Sequence, residues 1–148
     1  MENTKKQDAE LLAEIYRNCE MSCESINNVI KKVSDMEMLR ELTGIVLKTC
    51  DYSEEASKMM HERGITPEEI SKMKQKSIAA AITMNTMFDA STSHIAEMTA
   101  RGLTMGVTEL SELKSKLYPC DEKVESLLEQ VIEFEKKSAE KMMAYVED

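Results

Sequence analysis

The sequence predicts an all-α protein, a single four-helix bundle, and three observations carry that expectation. Glycine and proline are scarce, four and two in 148 residues, whereas Ala, Leu, Met, Glu and Lys, all good helix formers, are common. Apolar residues return at three- and four-residue steps along most of the chain, the spacing that lines one face of an α-helix. Start and stop signals divide this pattern into segments of helical length. A chain of this size fits one domain that buries a core without disulfides or metal.

In the first segment Thr4 and Gln7 form a capping box. Leu12, Ile15, Cys19, Ser22 or Cys23, Ile26, Val29 or Ile30 and Val33 then trace one apolar stripe, which predicts a helix to about Val33. Ser34 and Glu37 make a second capping box with Val33 and Met38 at the staple positions, so almost no loop separates the first two helices. Helix two is expected to bury Leu39, Leu42, Ile45 or Val46, Thr49, Tyr52, Ala56 and Met59 or Met60. It stops at Gly64, a suitable C-terminal glycine.

A new start follows at Ile65-Thr66-Pro67-Glu68-Glu69-Ile70, where threonine caps, proline takes the first helical position and glutamate the third. The apolar steps Ile70, Met73, Ser77, Ala80 or Ala81, Met84 and Met87 or Phe88 lead into Asp89-Ala90-Ser91-Thr92-Ser93, a cluster of capping residues. Unbroken, residues 67 to 117 would extend ~75 Å against ~40 Å for the other helices, and half would overhang. From Ser91 to Leu117 the stripe is Ile95, Met98, Gly102, Met105 or Gly106, Leu110, Leu113 and Leu117, with Glu97 and Arg101 opposite. That exposed pair contributes only ~0.2–0.5 kcal/mol. Gly102 and Gly106 each cost roughly 0.5–1 kcal/mol relative to alanine inside a helix. Their spacing predicts either a tight crossing against a neighbouring backbone or room for a ligand. Tyr118-Pro119 ends the segment, and Asp121 caps a last helix that buries Val124, Leu127 or Leu128, Val131, Phe134, Ser138, Met142 and Tyr145.

At the run MNTMFDASTSHIAEMTARGLTMGVTEL, with LLAEIYRNCEMSCESI before it and VIEFEKKSAEKMMAYV after it, the chain resembles a family of small bacterial helical-bundle proteins of unknown function that look ferritin-like. In a ferritin-like bundle two helix hairpins are joined by a long crossover. The resemblance therefore implies a helical crossover over residues 67 to 90, between helices two and three, with residues 91 to 117 as the third core helix. It implies no activity. A di-iron centre would need a glutamate on each of two helices and Glu-x-x-His on the other two. Lys58 stands three before His61 and Ser91 three before His94, and His94-x-x-Glu97 has the reverse order.

The formal net charge of −9 argues against nucleic acid or an anionic membrane surface as partner, because either demands basic clusters. No window approaches the roughly 18 apolar residues of a membrane span, and MENTKKQDAE does not resemble a signal peptide, so a cytoplasmic location is expected. There the four cysteines are expected as reduced thiols. With two phenylalanines and no tryptophan, methionine is expected to fill the core.

Candidate metal ligands are His94, at the edge of the apolar face, and Cys19 and Cys23, one turn apart. The alternative for each is structural, a satisfied histidine and two small buried hydrophobes. Any site on these residues needs groups from other helices, and Cys19, Cys23, Cys50, Glu14 and Glu135 are the ones available. No cofactor is implied. Two functions stay open. One is a non-enzymatic bundle in an interaction or stress-associated role, binding a protein partner or a small apolar ligand and forming a homodimer through the apolar segment Ser77 to Phe88. The other is a degenerate ferritin-like metal-binding or redox protein acting through His94, the cysteines and the methionines.

Overall fold

Residues 2–146 are described by the structure, a computed structural model. Among them stand five α-helices and no strand: α1 (Glu2–Ile30), α2 (Met36–Glu62), α3 (Lys72–Thr86), α4 (Thr92–Lys116) and α5 (Glu122–Met143). The broadest contacts join α1 to α2 and α4 to α5; α1 also meets α3, α4 and α5, and α2 meets α5. None of the described helices is long and apolar enough to cross a membrane.

Local chemistry explains where the helices stop, and in places it differs from the expected signals. Helix α1 is already under way at Glu2, so Thr4 and Gln7 lie inside it, and it ends at Ile30, three residues early. Asp35, not Ser34, caps α2: its Oδ1 accepts from the Met38 N–H at 2.9 Å, a charged acceptor at the positive end of the helix. Helix α2 closes with Gly64 at φ +72°, where Ile65 N–H donates to the Met60 carbonyl and Gly64 N–H to the His61 carbonyl. This is a Schellman closure, and it sends Ile65 back against the core.

That closure displaces the next start. Having turned at Gly64, the chain runs without helix through Ile65–Ser71 alongside Tyr16, Arg17 and Met21 of α1. The capping motif at Thr66-Pro67 is not used. Ser71 caps α3 instead, its Oγ accepting from Lys74 N–H. The break expected between Asp89 and Ser93 is present: α3 ends at Thr86, Asp89 Oδ1 accepts from Ser91 N–H, and Ser91 Oγ accepts from His94 N–H to start α4. No overhanging helix forms.

The core has two apolar clusters. One end of the bundle packs Leu11, Leu12, Ile15, Met60, Leu110, Leu128 and their neighbours; the other packs Ile26, Met38, Leu42, Ile95, Leu103, Met142 and theirs. Between them every long helix changes character, contributing Ser22 and Cys23 from α1, Thr49, Cys50 and Ser53 from α2, Gly106 from α4, and Glu135 and Ser138 from α5. A middle belt of small and polar residues thus separates the clusters.

Three expectations about burial are corrected. The inward face of α4 is Ile95, Ala96, Thr99, Ala100, Leu103, Gly106 and Leu110, rotated from the expected stripe; Met98 is half-buried and Met105 exposed. The expected stripe weighted large apolar residues, whereas the crowded contacts with neighbouring helices select small ones. On α5 Glu135 and Ala139 are buried beside the expected Val124, Leu127, Leu128, Val131, Ser138 and Met142, while Phe134 and Tyr145 are half-buried. Methionine fills the core only in part: Met38, Met59, Met60 and Met142 are buried, but Met36, Met73, Met84, Met87, Met105 and Met143 are more than half exposed.

Gly102 packs against no neighbouring backbone. A Cβ built on it meets nothing within 4 Å, whereas one on Gly106 meets side chains. Overpacking is thus not expected at Gly102, and helix propensity alone decides the sign there. Gly102→Ala should raise stability by about 0.5–1 kcal/mol, measured as an upward shift of the denaturant midpoint. A decrease would show that the Gly102 face is closed.

Candidate functional site

The middle belt holds one group that ordinary core packing does not explain. Glu135 is 2% exposed, and neither of its carboxyl oxygens has a hydrogen-bond partner. Burying an ionised carboxylate without compensation is prohibitive, so such a group keeps its proton. Desolvation raises the pKa of Glu135 to about 8, and the charge of Glu109 adds to the rise. Asn18 and Ser22 face the carboxyl from α1 and favour its charged form, but neither approach has hydrogen-bond geometry.

Gly106 makes room for this carboxyl. A Cβ there would lie 2.7 Å from Glu135 Oε2 and 2.8 Å from Asn18 Nδ2, so any larger residue would push one or the other aside. The remaining unpaired buried polar atoms among the described side chains are Asn18 Oδ1 and Thr99 Oγ1. Other polar groups of the belt are satisfied: Thr49 Oγ1 donates to the Ile45 carbonyl at 2.7 Å and Ser53 Oγ to Glu20 Oε1 at 2.8 Å.

The unpaired groups share one location. Asn18, Thr99 and Gly106 line a groove of about 360 Å³ between α1, α3 and α4, the size of a small-molecule site. Its walls are chiefly apolar, with Ile26 and Val29 from α1, Ile78 and Ile82 from α3, and Met98 and Leu103 from α4. Glu135 lies against the Gly106 and Asn18 corner. Two other depressions lack this combination. One of about 510 Å³ over α4 is a shallow surface bordered by Glu97, Arg101, Glu109 and Glu112. Another of about 380 Å³ lies where residues 68–74 pass α1, edged by Glu14, Arg17 and Lys74.

His94, Cys19 and Cys23 take part in separate contacts. His94 Nε2–H donates to the Asn85 carbonyl at 2.7 Å, covering a carbonyl in the last turn of α3 and tying α3 to α4. Cys23 Sγ lies 3.4 Å from Cys50 Sγ across the α1–α2 contact, and all four cysteines are free thiols. Burial pushes the Cys19 thiol far up, and the nearby Glu135 adds to this. Burial and the Cys50 contact do the same to Cys23. These thiols carry little thiolate, the form that attacks and ligates. Of the residues that sequence offers for a composite site, Cys19, Cys23, Cys50 and Glu135 meet in the middle belt, while Glu14 edges the depression beside residues 68–74. Among the described residues no three His, Cys, Asp or Glu side chains are grouped to hold a metal ion.

Sequence periodicity missed Asn18, Thr99 and the groove. A signal for Glu135 was nevertheless present, since it stands four residues after Val131 and three before Ser138, in register with the buried stripe. Fold and site together define an all-helical bundle with a buried protonated carboxyl beside an apolar groove. No family model, curated protein or solved structure matches the chain.

The raised pKa fixes the sign of a pH effect. The folded chain holds the Glu135 proton more tightly than the unfolded chain, whose carboxyl titrates near 4.5. The carboxyl is therefore tolerated best below about pH 4.5, and stability falls as pH rises towards about 8. A tenfold change in proton affinity is worth about 1.4 kcal/mol, so the whole effect is several kcal/mol. Glu135→Gln should leave stability little changed near pH 5 and raise it progressively to pH 8.5, read as the difference in thermal midpoint from wild type. A difference independent of pH would mean the carboxyl is hydrated. Gly106→Ala must displace the side-chain ends of Glu135 or Asn18, so it should stabilise by less than the roughly 0.5–1 kcal/mol of helix propensity expected at Gly102, read from the same thermal midpoints.

Proposed function

We propose that this protein is a non-enzymatic helical bundle, ferritin-like in the way α3 connects two helix hairpins, that binds a small, largely apolar ligand in the groove between α1, α3 and α4. One observation carries the proposal: the buried polar atoms left unpaired all lie in or against that groove. Buried polar groups are almost always satisfied, and the exceptions concentrate where a protein binds or reacts. Apolar walls with a few convergent polar groups are what a small-molecule site requires. Catalysis is not part of the proposal, because the thiols are held protonated and His94 is engaged with a backbone carbonyl.

The experiment is a titration of isotope-labelled protein with 1-octanol, followed by amide chemical shifts. Shifts should concentrate on α1, α3 and α4 around Ile26, Ile82 and Leu103, and Gly102→Trp, which places a ring in the groove, should abolish them. Shifts scattered over the surface, or unaffected by that substitution, would refute groove binding.

We also propose that the protein forms a homodimer through α3. Only Ile82 and Thr86 of that helix are buried, while Met73, Met84, Met87 and Phe88 stand more than 60% exposed and Phe88 is 95% exposed. An unpartnered apolar face of this kind is unusual on a monomer, and flexible methionines suit a protein contact. Sedimentation equilibrium at tens of micromolar should give a dimer for wild type and chiefly monomer for Phe88→Asp. A wild-type monomer at that concentration would contradict the proposal.

A further inference from the structure

The lining of the groove is chemically one-sided. Among its described lining residues there is no lysine, arginine or histidine, and the one charged side chain is Glu109. A second carboxyl, Glu135, lies against the Gly106 and Asn18 corner with both oxygens unpaired. The other polar groups at that corner are the Asn18 amide and the Ser22 hydroxyl, with Thr99 further along α4. A carboxylate ligand would meet two acids and no cation. A wholly apolar ligand would leave the Glu135 oxygens as unsatisfied as before.

We infer that the groove takes an organic cation, a primary or substituted ammonium carrying an aliphatic or similarly apolar body, with its nitrogen paired to Glu135 and its body along Ile26, Ile82 and Leu103. This deepens the ligand-binding function proposed above and rests on it. The nitrogen needs an acceptor at the end of an apolar slot, and the Glu135 carboxyl oxygens beside Gly106 supply it. Glu109, at the same groove, adds attraction at the approach. Gly106 leaves the carboxyl next to the groove, where a Cβ would displace it.

Binding in this mode moves one proton. The protonated carboxyl meets an ammonium that already carries its charge; the O–H bond of Glu135 breaks, the proton leaves to buffer, and ammonium and carboxylate remain as an ion pair. The titratable groups around Glu135 are Glu109 from α4 and Cys19 from α1, with Glu20 and Cys23 of α1 and Cys50 of α2 grouped about Cys19. The carboxylate at Glu109 opposes ionisation of Glu135, and burial holds the Cys19 and Cys23 thiols protonated, so none of these groups supplies the counter-charge that a bound cation would. Affinity for the cation accordingly rises with pH until Glu135 is ionised without it.

The test uses n-octylammonium, neutral 1-octanol and octanoate as probes of matched length, titrated calorimetrically into the full chain at pH 6.5 and 9 in buffers of different ionisation enthalpy. Octylammonium should bind wild type at least about tenfold more tightly than octanol. It should release close to one proton at pH 6.5 and far less at pH 9, with octanoate weakest. Glu135→Gln should erase the preference for the cation and the proton release while leaving octanol binding intact, which separates loss of the pair from loss of the fold. Glu109→Gln should weaken octylammonium only slightly and keep the proton release. Equal binding of octylammonium and octanol, both blocked by Gly102→Trp, would overturn the cation inference and leave the groove function standing. Binding of octylammonium with no proton release and no effect of Glu135→Gln would reduce it to attraction by the acidic surface and overturn it as well. Failure of all three probes to bind in the groove would overturn both.

Discussion

The burial of one unpaired carboxyl is the constraint on which the middle of this bundle depends. An ionised glutamate cannot be placed between two apolar clusters without compensation, and none of the described groups that act on the Glu135 carboxyl is a cation. The protein keeps the group neutral instead, as its upward-shifted pKa records. Neutrality removes the largest penalty but leaves two oxygens without partners, a residual cost of the order of 1–3 kcal/mol per unmade bond. The belt's other features answer the same constraint: glycine at 106 leaves the carboxyl its space, and Asn18 and Ser22 replace apolar side chains on the face of α1 that meets it.

Small residues at one level of a bundle weaken its packing there, and the structure makes up for this at both ends. Leu11, Leu12, Ile15, Leu128 and Met60 close one end, and Met38, Leu42, Ile95 and Met142 the other, all nearly inaccessible to solvent. Asp8 adds a polar tie between distant parts of the chain, its buried carboxylate accepting from the Asp121 N–H at 2.8 Å just where α5 begins.

Helix α3 decides how open the groove is. It buries only Ile82 and Thr86 and is fastened at its C-terminal end through the His94 to Asn85 bond. An element held by so few apolar contacts belongs to the low-stability end of a fold, where binding elements are usually found. His94, which sequence offered as a candidate metal ligand, makes this hydrogen bond between α4 and α3. Cys19 lies near Glu135 with Cys23 close by, and desolvation keeps these two as thiols.

Sequence by itself determined the helical class, the bounds of α2 and α5 to within a few residues, the break before Ser91 and most of the two apolar clusters, because each depends on local periodicity or a local capping group. Ser91, Asp121 and Gly64 act within one turn of their own positions, so their signals survive without knowledge of the rest of the fold, whereas the cap of α2 is Asp35 and not the expected Ser34. The start of α3 was not legible: Thr66-Pro67 satisfies every local rule, yet the Schellman turn at Gly64 carries the chain past it to Ser71. The face of α4 was legible only in part: Ile95, Gly106 and Leu110 lie on the expected stripe, but Ala96, Thr99, Ala100 and Leu103 are buried where Met98 and Gly102 were expected. Gly106 and Glu135 were singled out in the sequence, but their meeting with Asn18 and Thr99 is decided by tertiary structure. Asn18, Thr99, Gly106 and Glu135 come from three helices, and what distinguishes them, burial without a partner, is a property of their surroundings that no spacing along one helix can encode.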